Sequence, residues 1–249
     1  YASDFVDDVT EAIVVVVLDD RCPVVQQLIP KIRECHEHYN GFEKDRAGRP
    51  TEFVKYPGDR VKFLGIYVKP DMGARRMAAH AAATRIGFRV LHDPELAVVK
   101  KLGLRRLSEA AVLTPDWQVR YRGPWDDQFV QGAKKPAASQ HFVTDAIEAV
   151  LGGSPVEVPR RPAAGCKINF TPPQRSDSDL TYHRDIVPIM QRRCQGCHRD
   201  GEVAPMNLLT FDEVVAYAAM VEEVVLHERM PPFPGESSRE FANDERLTD

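Results

Sequence analysis

The stretch "AIVVVVLDDRCPVVQQLIPKI", residues 12–32, contains the change of pattern that decides the fold. Its first part, Ala12 to Leu18, is continuously apolar, which is typical of a buried strand. After Pro23 the apolar residues recur every three or four positions, and this spacing predicts an amphipathic helix. Cys22 stands between the two patterns, so we predict a strand, a cysteine and a helix in that order.

The alternation of strand and helix patterns continues through residue 153. We predict a buried strand over 61–68, an alanine-rich helix over 73–87, a short strand and helix over 88–103, two strands over 109–123 and a last helix over 138–153. Strands that alternate with helices form a sheet covered by helices. Residues 1–153 are therefore predicted to be one α/β domain.

The pattern changes twice after residue 153. Residues 154–179 contain repeated prolines and little periodicity, which predicts an extended linker at the surface. Residues 180–249 contain two helix patterns and no strand pattern. They are predicted to form a small all-α domain.

Charge and hydropathy exclude two classes of protein. The chain has 33 basic and 37 acidic residues and a net charge of −4, so it lacks the basic excess that indicates nucleic-acid binding. Its longest apolar run is Ala12 to Leu18, whereas a membrane span needs roughly 20 apolar residues. We therefore predict no nucleic-acid partner and no transmembrane segment in this chain.

The all-α region contains "CQGCH", residues 194–198. This spacing lets the sulfurs of Cys194 and Cys197 form thioethers to one edge of a porphyrin while His198 coordinates the iron. A structural zinc site usually needs about four ligands, and a redox C-x-x-C pair belongs after a strand. The spacing thus favours one covalent haem c, with zinc and a redox disulfide as the alternatives.

A haem iron takes a second axial ligand, and a methionine there raises the reduction potential. The downstream candidates are Met206, Met220, His227 and Met230. Met220 lies inside a helix pattern, where a core role is expected. Met230 directly precedes two prolines, which end the helix and stiffen the chain. We predict Met230 as the ligand, with Met206 as the alternative.

The segments "RRCQGCHRDG" (192–201) and "RMPPFPG" (229–235) resemble class I-like cytochrome c domains, in which a Met-Pro segment supplies the distal ligand. The resemblance implies a mono-haem domain with His198 as proximal and Met230 as distal ligand. Such domains end with a further helix, of which residues 247–249 resemble only the beginning. The domain is therefore expected to lack its last helix in this sequence.

The first domain carries a second resemblance. "VVVVLDDRCPVVQQLIPKI" (14–32) resembles thioredoxin-like redoxins of the alkyl hydroperoxide reductase and thiol-specific antioxidant type. "YRGPWDDQF" (121–129) and "AAGCKINF" (163–170) resemble a bacterial redoxin group often fused to cytochrome c. The resemblance implies a thioredoxin-like fold with Cys22 as a catalytic thiol, because the helix dipole favours its thiolate.

Three positions depart from the redoxin pattern. Val25 stands where a thioredoxin has its second cysteine, Ser108 where the cis-proline is expected, and Asp19 where a peroxiredoxin has threonine. A nearby carboxylate also disfavours a thiolate. We therefore predict a largely degenerate domain used for docking and leave open whether Cys22 is redox-active or pairs with Cys166.

These patterns together predict an extracytoplasmic, bacterial periplasmic electron-transfer protein. It comprises a thioredoxin-like α/β domain followed by a small all-α cytochrome c domain. One alternative is a thiol–disulfide oxidoreductase or peroxidase that acts at Cys22 with the haem as electron relay. The other is an accessory subunit of a larger electron-transfer complex. In each case the expected partners are redox proteins.

Overall fold

The computed structural model of the protein describes residues 5–40, 60–130, 133–168, 179–204, 206–232 and 247. The chain divides into two compact units, Tyr1–Ile168 and Asn169–Asp249. Each unit is described below by itself.

The first unit is built around a five-stranded sheet in the order β3-β2-β1-β4-β5. The strands are β1 (Ala12–Leu18), β2 (Val61–Tyr67), β3 (Arg89–His92), β4 (Glu109–Leu113) and β5 (Val119–Pro124). β1, β2 and β3 run parallel, whereas β4 is antiparallel to β1 and to β5. Every residue of β1 is buried, because this central strand has neighbours on both edges and a covering layer on both faces.

Four helices connect or follow these strands, namely α1 (Pro23–Asn40), α2 (Ala74–Ala83), α3 (Ala97–Leu102) and α4 (Phe142–Leu151). The apolar residues of α1 are buried as their spacing predicted: Val24, Val25, Leu28, Ile29 and Ile32. The order β1-α1-β2 followed later by the antiparallel pair β4-β5 and α4 is a thioredoxin-like connectivity. The predicted α/β thioredoxin-like fold is thus confirmed for this unit. A two-stranded hairpin, β6 (Phe129–Val130) and β7 (Ala133–Lys134), was not predicted.

Residues 154–168, the first part of the predicted linker, pack on the first unit and do not extend away from it. The amide of Arg122 in β5 donates to the carbonyl of Pro159 at 2.9 Å. Further along, Cys166 and Ile168 are buried. The proline-rich composition did not predict this packing, because the backbone of the segment forms hydrogen bonds with other parts of the chain without forming a helix or a strand.

The second unit contains helices and no strand within its described residues, 179–204, 206–232 and 247. A π-helical turn (Tyr182–Ile186) leads into α5 (Val187–Arg193), and α6 (Phe211–Leu226) follows after a loop. Thr210 and Glu213 form a capping box at the start of α6. The apolar cluster of this unit is small and consists of Met190, Leu208 and Val214. No helix in the described part of either unit is long and apolar enough to cross a membrane.

Candidate functional site

Two cysteines that are far apart in sequence meet in the first unit. The Sγ atoms of Cys22 and Cys166 are 3.5 Å apart, which is within hydrogen-bond distance for thiols. Both side chains are buried, Cys22 with 1% and Cys166 with 3% of its surface exposed. The sulfurs of a disulfide are about 2.05 Å apart, so a shift of roughly 1.5 Å would bring this pair to bonding distance.

Cys22 is positioned by the end of β1 and the start of α1. It directly precedes Pro23, a residue suited to the first turn of a helix because its missing N–H leaves no donor unpaired. The backbone amide of Cys22 donates to Oδ1 of Asp19 at 2.6 Å. The prediction that Cys22 lies where the first strand meets its helix is therefore confirmed.

Cys166 is positioned by the pairing of its own segment with residues 105–108. We call residues 163–168 the cover segment and residues 105–108 the receiving strip. The Leu107 amide donates to the Cys166 carbonyl at 2.9 Å, and the Ile168 amide donates to the Arg105 carbonyl at 2.8 Å. Residues 106 and 167 form an antiparallel bridge between these two hydrogen bonds.

Two side chains of the receiving strip also hold the cover segment. The Ser108 hydroxyl donates to the carbonyl of Ala164, and Arg106 donates through Nη1 to the carbonyl of Gly165. Gly165 has a φ of +108°, and an added Cβ there would lie 3.0 Å from Ser108 Oγ. Only glycine combines that backbone conformation with so close an approach.

The two thiols have unequal acidities. Hydrogen bonding from Cys166 lowers the pKa of Cys22, and the backbone amides of Val25 and Val24 act in the same direction. The same hydrogen bond and burial raise the pKa of Cys166 far above its ordinary value. Cys22 is therefore the more acidic thiol of the pair, and Cys166 is the less acidic one.

The negative charge of Asp19 opposes the Cys22 thiolate, and other groups offset it. Its negative charge raises the pKa of Cys22, as the sequence predicted, but this effect is smaller than the hydrogen bond from Cys166. Lys69 lies 2.9 Å from the other Asp19 carboxylate oxygen and offsets part of that charge. The neighbouring Asp20 is ion-paired with Arg76 at 2.6 Å. Sequence reasoning missed Lys69, since nothing in its local pattern points to Asp19, 50 positions before it.

The predicted departures from the redoxin pattern have structural consequences. Val25 is buried in α1, so an apolar side chain stands where a thioredoxin has its second cysteine. Ser108 occupies the expected cis-proline position and uses its hydroxyl to hold the cover segment. The second cysteine of this site thus comes from a distant segment. The sequence feature that pointed to this cysteine is the stretch "AAGCKINF", which contains Cys166.

The motif residues of the second unit lie on a turn that directly follows α5. Cys194 ends the helix and packs against the apolar cluster, whereas Cys197 is exposed. The amides of Cys197 and His198 both donate to the Cys194 carbonyl, at 3.2 and 2.9 Å. The side chains of Cys194, Cys197 and His198 therefore all project from one tight turn.

His198 is oriented by a hydrogen bond at one ring nitrogen. Its side chain is almost fully buried, and Nδ1 lies 3.2 Å from the carbonyl oxygen of Met206. Among the described residues, no hydrogen bond to Nε2 occurs. An imidazole held in this way presents Nε2 as a ligand, because a hydrogen bond at one nitrogen fixes the tautomer and ring orientation.

The second unit also leaves apolar surface uncovered. Phe211 is 52% and Val203 85% exposed, although both lie near the motif in sequence. A flat apolar group such as a porphyrin would cover surface of this kind. The described residues contain no group of three or more His, Cys, Asp or Glu side chains that could hold a metal ion, so they add no ligand set to the zinc alternative. The residues present fit a covalent haem.

The predicted distal ligands differ in placement. The carbonyl oxygen of Met206 accepts a hydrogen bond from Nδ1 of His198. Met230 follows α6, and its amide donates to the Val224 carbonyl at 3.1 Å after a left-handed residue, Glu228. Both methionine side chains are half-buried.

No protein-family model and no curated protein matches the chain. Among solved structures, it is similar to a hypothetical protein from Sinorhizobium meliloti 1021, with 22% identity, 65% of this chain and 81% of that chain covered, and a TM-score of 0.51. An uncharacterized conserved protein from Geobacillus kaustophilus matches with 21% identity, 69% and 82% coverage and a TM-score of 0.52. At such identities the likeness shows a shared fold and nothing more.

Proposed function

We propose that the first unit is a thiol–disulfide redox domain in which Cys22 and Cys166 form the redox pair. The observation that carries this proposal is the 3.5 Å separation of two buried sulfurs from residues 144 positions apart. Their unequal acidities support it, because exchange needs one thiolate nucleophile and one thiol that reacts later. The domain is thus proposed to be more than the docking module that the sequence predicted.

The proposed reaction is a two-electron oxidation of the pair. The thiols of Cys22 and Cys166 release two protons and join in one S–S bond. The two electrons reduce a disulfide of a partner molecule, which takes up two protons and becomes two thiols. The reverse reaction oxidises a partner dithiol, and the redox poise of the surroundings sets the direction.

A redox titration of the full chain tests this proposal. The protein is equilibrated in buffers of reduced and oxidised glutathione, and its free thiols are then alkylated and counted by mass spectrometry. We expect wild type to lose two thiols together, and Cys22→Ser or Cys166→Ser to lose no such pair. Cys35→Ser is the matched control: Cys35 is half-buried with a pKa raised by burial to about 12, so its removal should preserve the two-thiol loss. A two-thiol loss that includes Cys22, located by mass spectrometry of the alkylated peptides, and that survives Cys166→Ser would refute the pair.

A second candidate function, electron transfer, is favoured by the placement of His198. We propose that the second unit holds one haem c through Cys194 and Cys197, with His198 as proximal ligand. When bound, this group would supply one-electron chemistry. The protein's own contribution is the hydrogen bond from His198 Nδ1 to the Met206 carbonyl, which aims Nε2 away from the backbone.

The same hydrogen bond favours Met230 over Met206 as distal ligand. The Met206 carbonyl accepts the hydrogen bond from Nδ1 of His198, so the Met206 backbone is anchored beside the histidine that would hold the iron. The Met230 backbone is anchored instead on the Val224 carbonyl at the end of α6, and Met230 would supply the second iron ligand.

Haem attachment is tested by producing the chain with a haem-attachment system and extracting it with acidified acetone. Covalent haem should stay with the protein, and Met230→Ala should lower the reduction potential and remove the weak far-red sulfur-to-iron band. Met206→Ala is the matched control and should retain that band. Haem that extracts freely would refute the attachment, and a band lost only with Met206→Ala would reverse the ligand assignment.

Both chemistries place the protein outside the cytoplasm in this proposal. Disulfides persist in oxidising compartments, and the resemblance to cytochrome c domains implies haem attachment there. The proposed partners are redox proteins that exchange thiols with the first unit or electrons with the second. Detection of the mature protein in a periplasmic fraction would support this location.

A further inference from the structure

We propose that the buried sulfur pair of Cys22 and Cys166 is a binding site for one soft monovalent metal ion, Cu(I), held by two thiolates and no further ligand. The site uses the same sulfurs as the proposed thiol–disulfide exchange, but its chemistry is metal binding without electron transfer. The inference goes beyond that proposed function and does not depend on it.

The separation of the two sulfurs suits a bridging metal ion. The Sγ atoms of Cys22 and Cys166 are 3.5 Å apart. A zinc–thiolate bond is about 2.3 Å long, and an ion with bonds of similar length joins sulfurs up to roughly 4.6 Å apart. The pair therefore needs to open by only about 1 Å for a linear sulfur–metal–sulfur arrangement, whereas an S–S bond requires the sulfurs to approach by roughly 1.5 Å.

The number of available ligands distinguishes between the soft metals. Thiolates select Cu(I), zinc or iron–sulfur clusters. Structural zinc almost always takes four ligands, and iron–sulfur clusters take four cysteines. In the part of the chain that the structure describes, no group of three or more His, Cys, Asp or Glu side chains could hold a metal ion. Two thiolates are sufficient for Cu(I), whose filled d shell accepts two-coordinate geometry, so a pair without further ligands favours this ion.

The surroundings of the pair exclude water. Cys22 has 1% and Cys166 has 3% of its surface exposed, and Val24 and Val25 are buried beside them at the start of α1. An added Cβ on Gly165 would lie 3.7 Å from Val24 Cγ1, so the cover segment lies against this apolar wall. Water and oxygen ligands, which suit harder ions, are therefore kept away from the sulfurs.

Positive charge beside the pair offsets the charge of the complex. One Cu(I) ion and two thiolates together carry a charge of −1, and a buried charge needs a compensating partner. Helix α1 begins at Pro23, directly after Cys22, and the N-terminal end of its dipole is positive. The hydrogen bond with Cys22 and burial raise the pKa of Cys166, whereas the charge of Lys69 acts in the opposite direction. Lys69 also pairs with Asp19 at 2.9 Å, so that carboxylate opposes the complex less than it would alone.

Binding of Cu(I) is balanced without any change of oxidation state. Each of the two thiols loses one proton, each sulfur forms one bond to copper, and the ion leaves the ligands that carried it. Formation of the disulfide instead removes two electrons from the same sulfurs. The metal-bound and disulfide states therefore exclude one another.

Competition with bathocuproine disulfonate under anaerobic, reducing conditions tests this inference on the full chain with Cys194→Ala and Cys197→Ala, which lacks the other cysteine pair. The probe is the coloured Cu(I) complex of this chelator, and loss of colour measures the copper that the protein takes. We expect one equivalent per chain. Adding Cys22→Ser or Cys166→Ser should weaken binding by more than the about 10- to 100-fold typical of losing a group that only hydrogen-bonds to a metal ligand. Cys35→Ser is the matched control and should retain the copper.

Two further measurements leave the sulfur pair unchanged, so they do not depend on whether a serine variant folds. X-ray absorption of the copper-loaded chain should show two sulfur neighbours and no nitrogen neighbour. Zn(II) titrated in competition with 4-(2-pyridylazo)resorcinol should stay with the dye, because two thiolates do not complete a zinc site.

Four results would overturn the metal inference alone when the two-thiol loss in glutathione buffers is intact. They are failure of the chain to take up Cu(I), copper binding that survives Cys166→Ser, a third sulfur or a nitrogen beside the copper, and retention of zinc by the pair. Failure to bind Cu(I) together with absence of the two-thiol loss would overturn both this inference and the proposed thiol–disulfide function.

Discussion

The two cysteine pairs of this chain differ in almost every structural respect. Cys22 and Cys166 are distant in sequence, buried and in sulfur-to-sulfur contact. Cys194 and Cys197 are close in sequence, and the second of them is exposed on a tight turn beside a histidine with an unpartnered Nε2 among the described residues. The geometry of the first pair supports the proposed thiol–disulfide exchange, whereas the second pair belongs to the proposed haem attachment.

Residue spacing in a sequence can identify a site that is built from neighbouring residues. It cannot identify a site whose residues are far apart in the chain. The C-x-x-C-H turn needs only five consecutive residues, so its chemistry can be inferred from the sequence alone. The Cys22 site needs a strand end, a helix start and a distant segment held by two backbone hydrogen bonds. The functions of the two pairs should therefore be separable by mutation.

The largest expected effect is a complete separation of the two chemistries. Replacing both Cys194 and Cys197 by alanine should abolish covalent haem and preserve the two-thiol loss in glutathione buffers. Cys22→Ser should do the reverse, because it removes the nucleophile of the first unit and leaves the C-x-x-C-H motif intact. Acid-acetone extraction and thiol counting on the same samples measure both. Loss of both properties in either variant would contradict separate sites.

The next largest effect is expected from Gly165→Ala. Alanine at a φ of +108° is strained, and its Cβ would crowd Ser108 Oγ, so the seated cover should lose about 1–3 kcal/mol. Iodoacetamide should then label Cys22 roughly 5- to 150-fold faster in the reduced protein, as measured by mass spectrometry of the tryptic peptide 22–31.

Gly153→Ala is the matched control for this prediction. Gly153 also has a positive φ, +65°, but an added Cβ there meets nothing within 4 Å. It should leave Cys22 labelling close to wild type. Equal labelling rates in the two variants would show that the cover segment does not control access to Cys22.

A smaller effect is expected from Ser108→Ala. The change removes one hydrogen bond to the Ala164 carbonyl, worth about 0.5–1.5 kcal/mol, and should accelerate Cys22 labelling by about 2- to 10-fold. Ser139→Ala is the control, since the Ser139 hydroxyl donates to Asp127 instead. An unchanged rate in Ser108→Ala would mean that this serine does not hold the cover.

The smallest effect concerns the acidity of Cys22. The hydrogen bond from Cys166 stabilises the Cys22 thiolate and lowers its pKa, so Cys166→Ala should raise that pKa. At a pH near the two pKa values, a smaller fraction of Cys22 is then thiolate in the variant than in wild type. Ultraviolet thiolate absorbance during a pH titration, corrected with Cys22→Ser, measures the shift. A pKa that stays constant or falls in Cys166→Ala would contradict the hydrogen-bonded pair.

Much of the fold could be predicted because the residues within each strand and helix specify that element. The apolar run of β1 and the helical spacing of α1 placed Cys22 correctly at their junction. Cys166 could not be placed, because its burial depends on hydrogen bonds to Arg105 and Leu107, which no periodicity encodes. Its segment has the proline-rich composition of a linker, and composition does not distinguish an extended segment in solvent from one docked on a domain.

The measurement that tests the central claim most directly is peptide mapping of the oxidised, unreduced full chain. Trypsin should release peptides 22–31 and 161–167, and we predict that they are recovered as one species joined by a Cys22–Cys166 disulfide. The linked species should disappear on reduction and in Cys166→Ser. Recovery of both peptides as separate alkylated thiols under oxidising conditions, or of Cys22 linked to Cys194 or Cys197, would contradict the account.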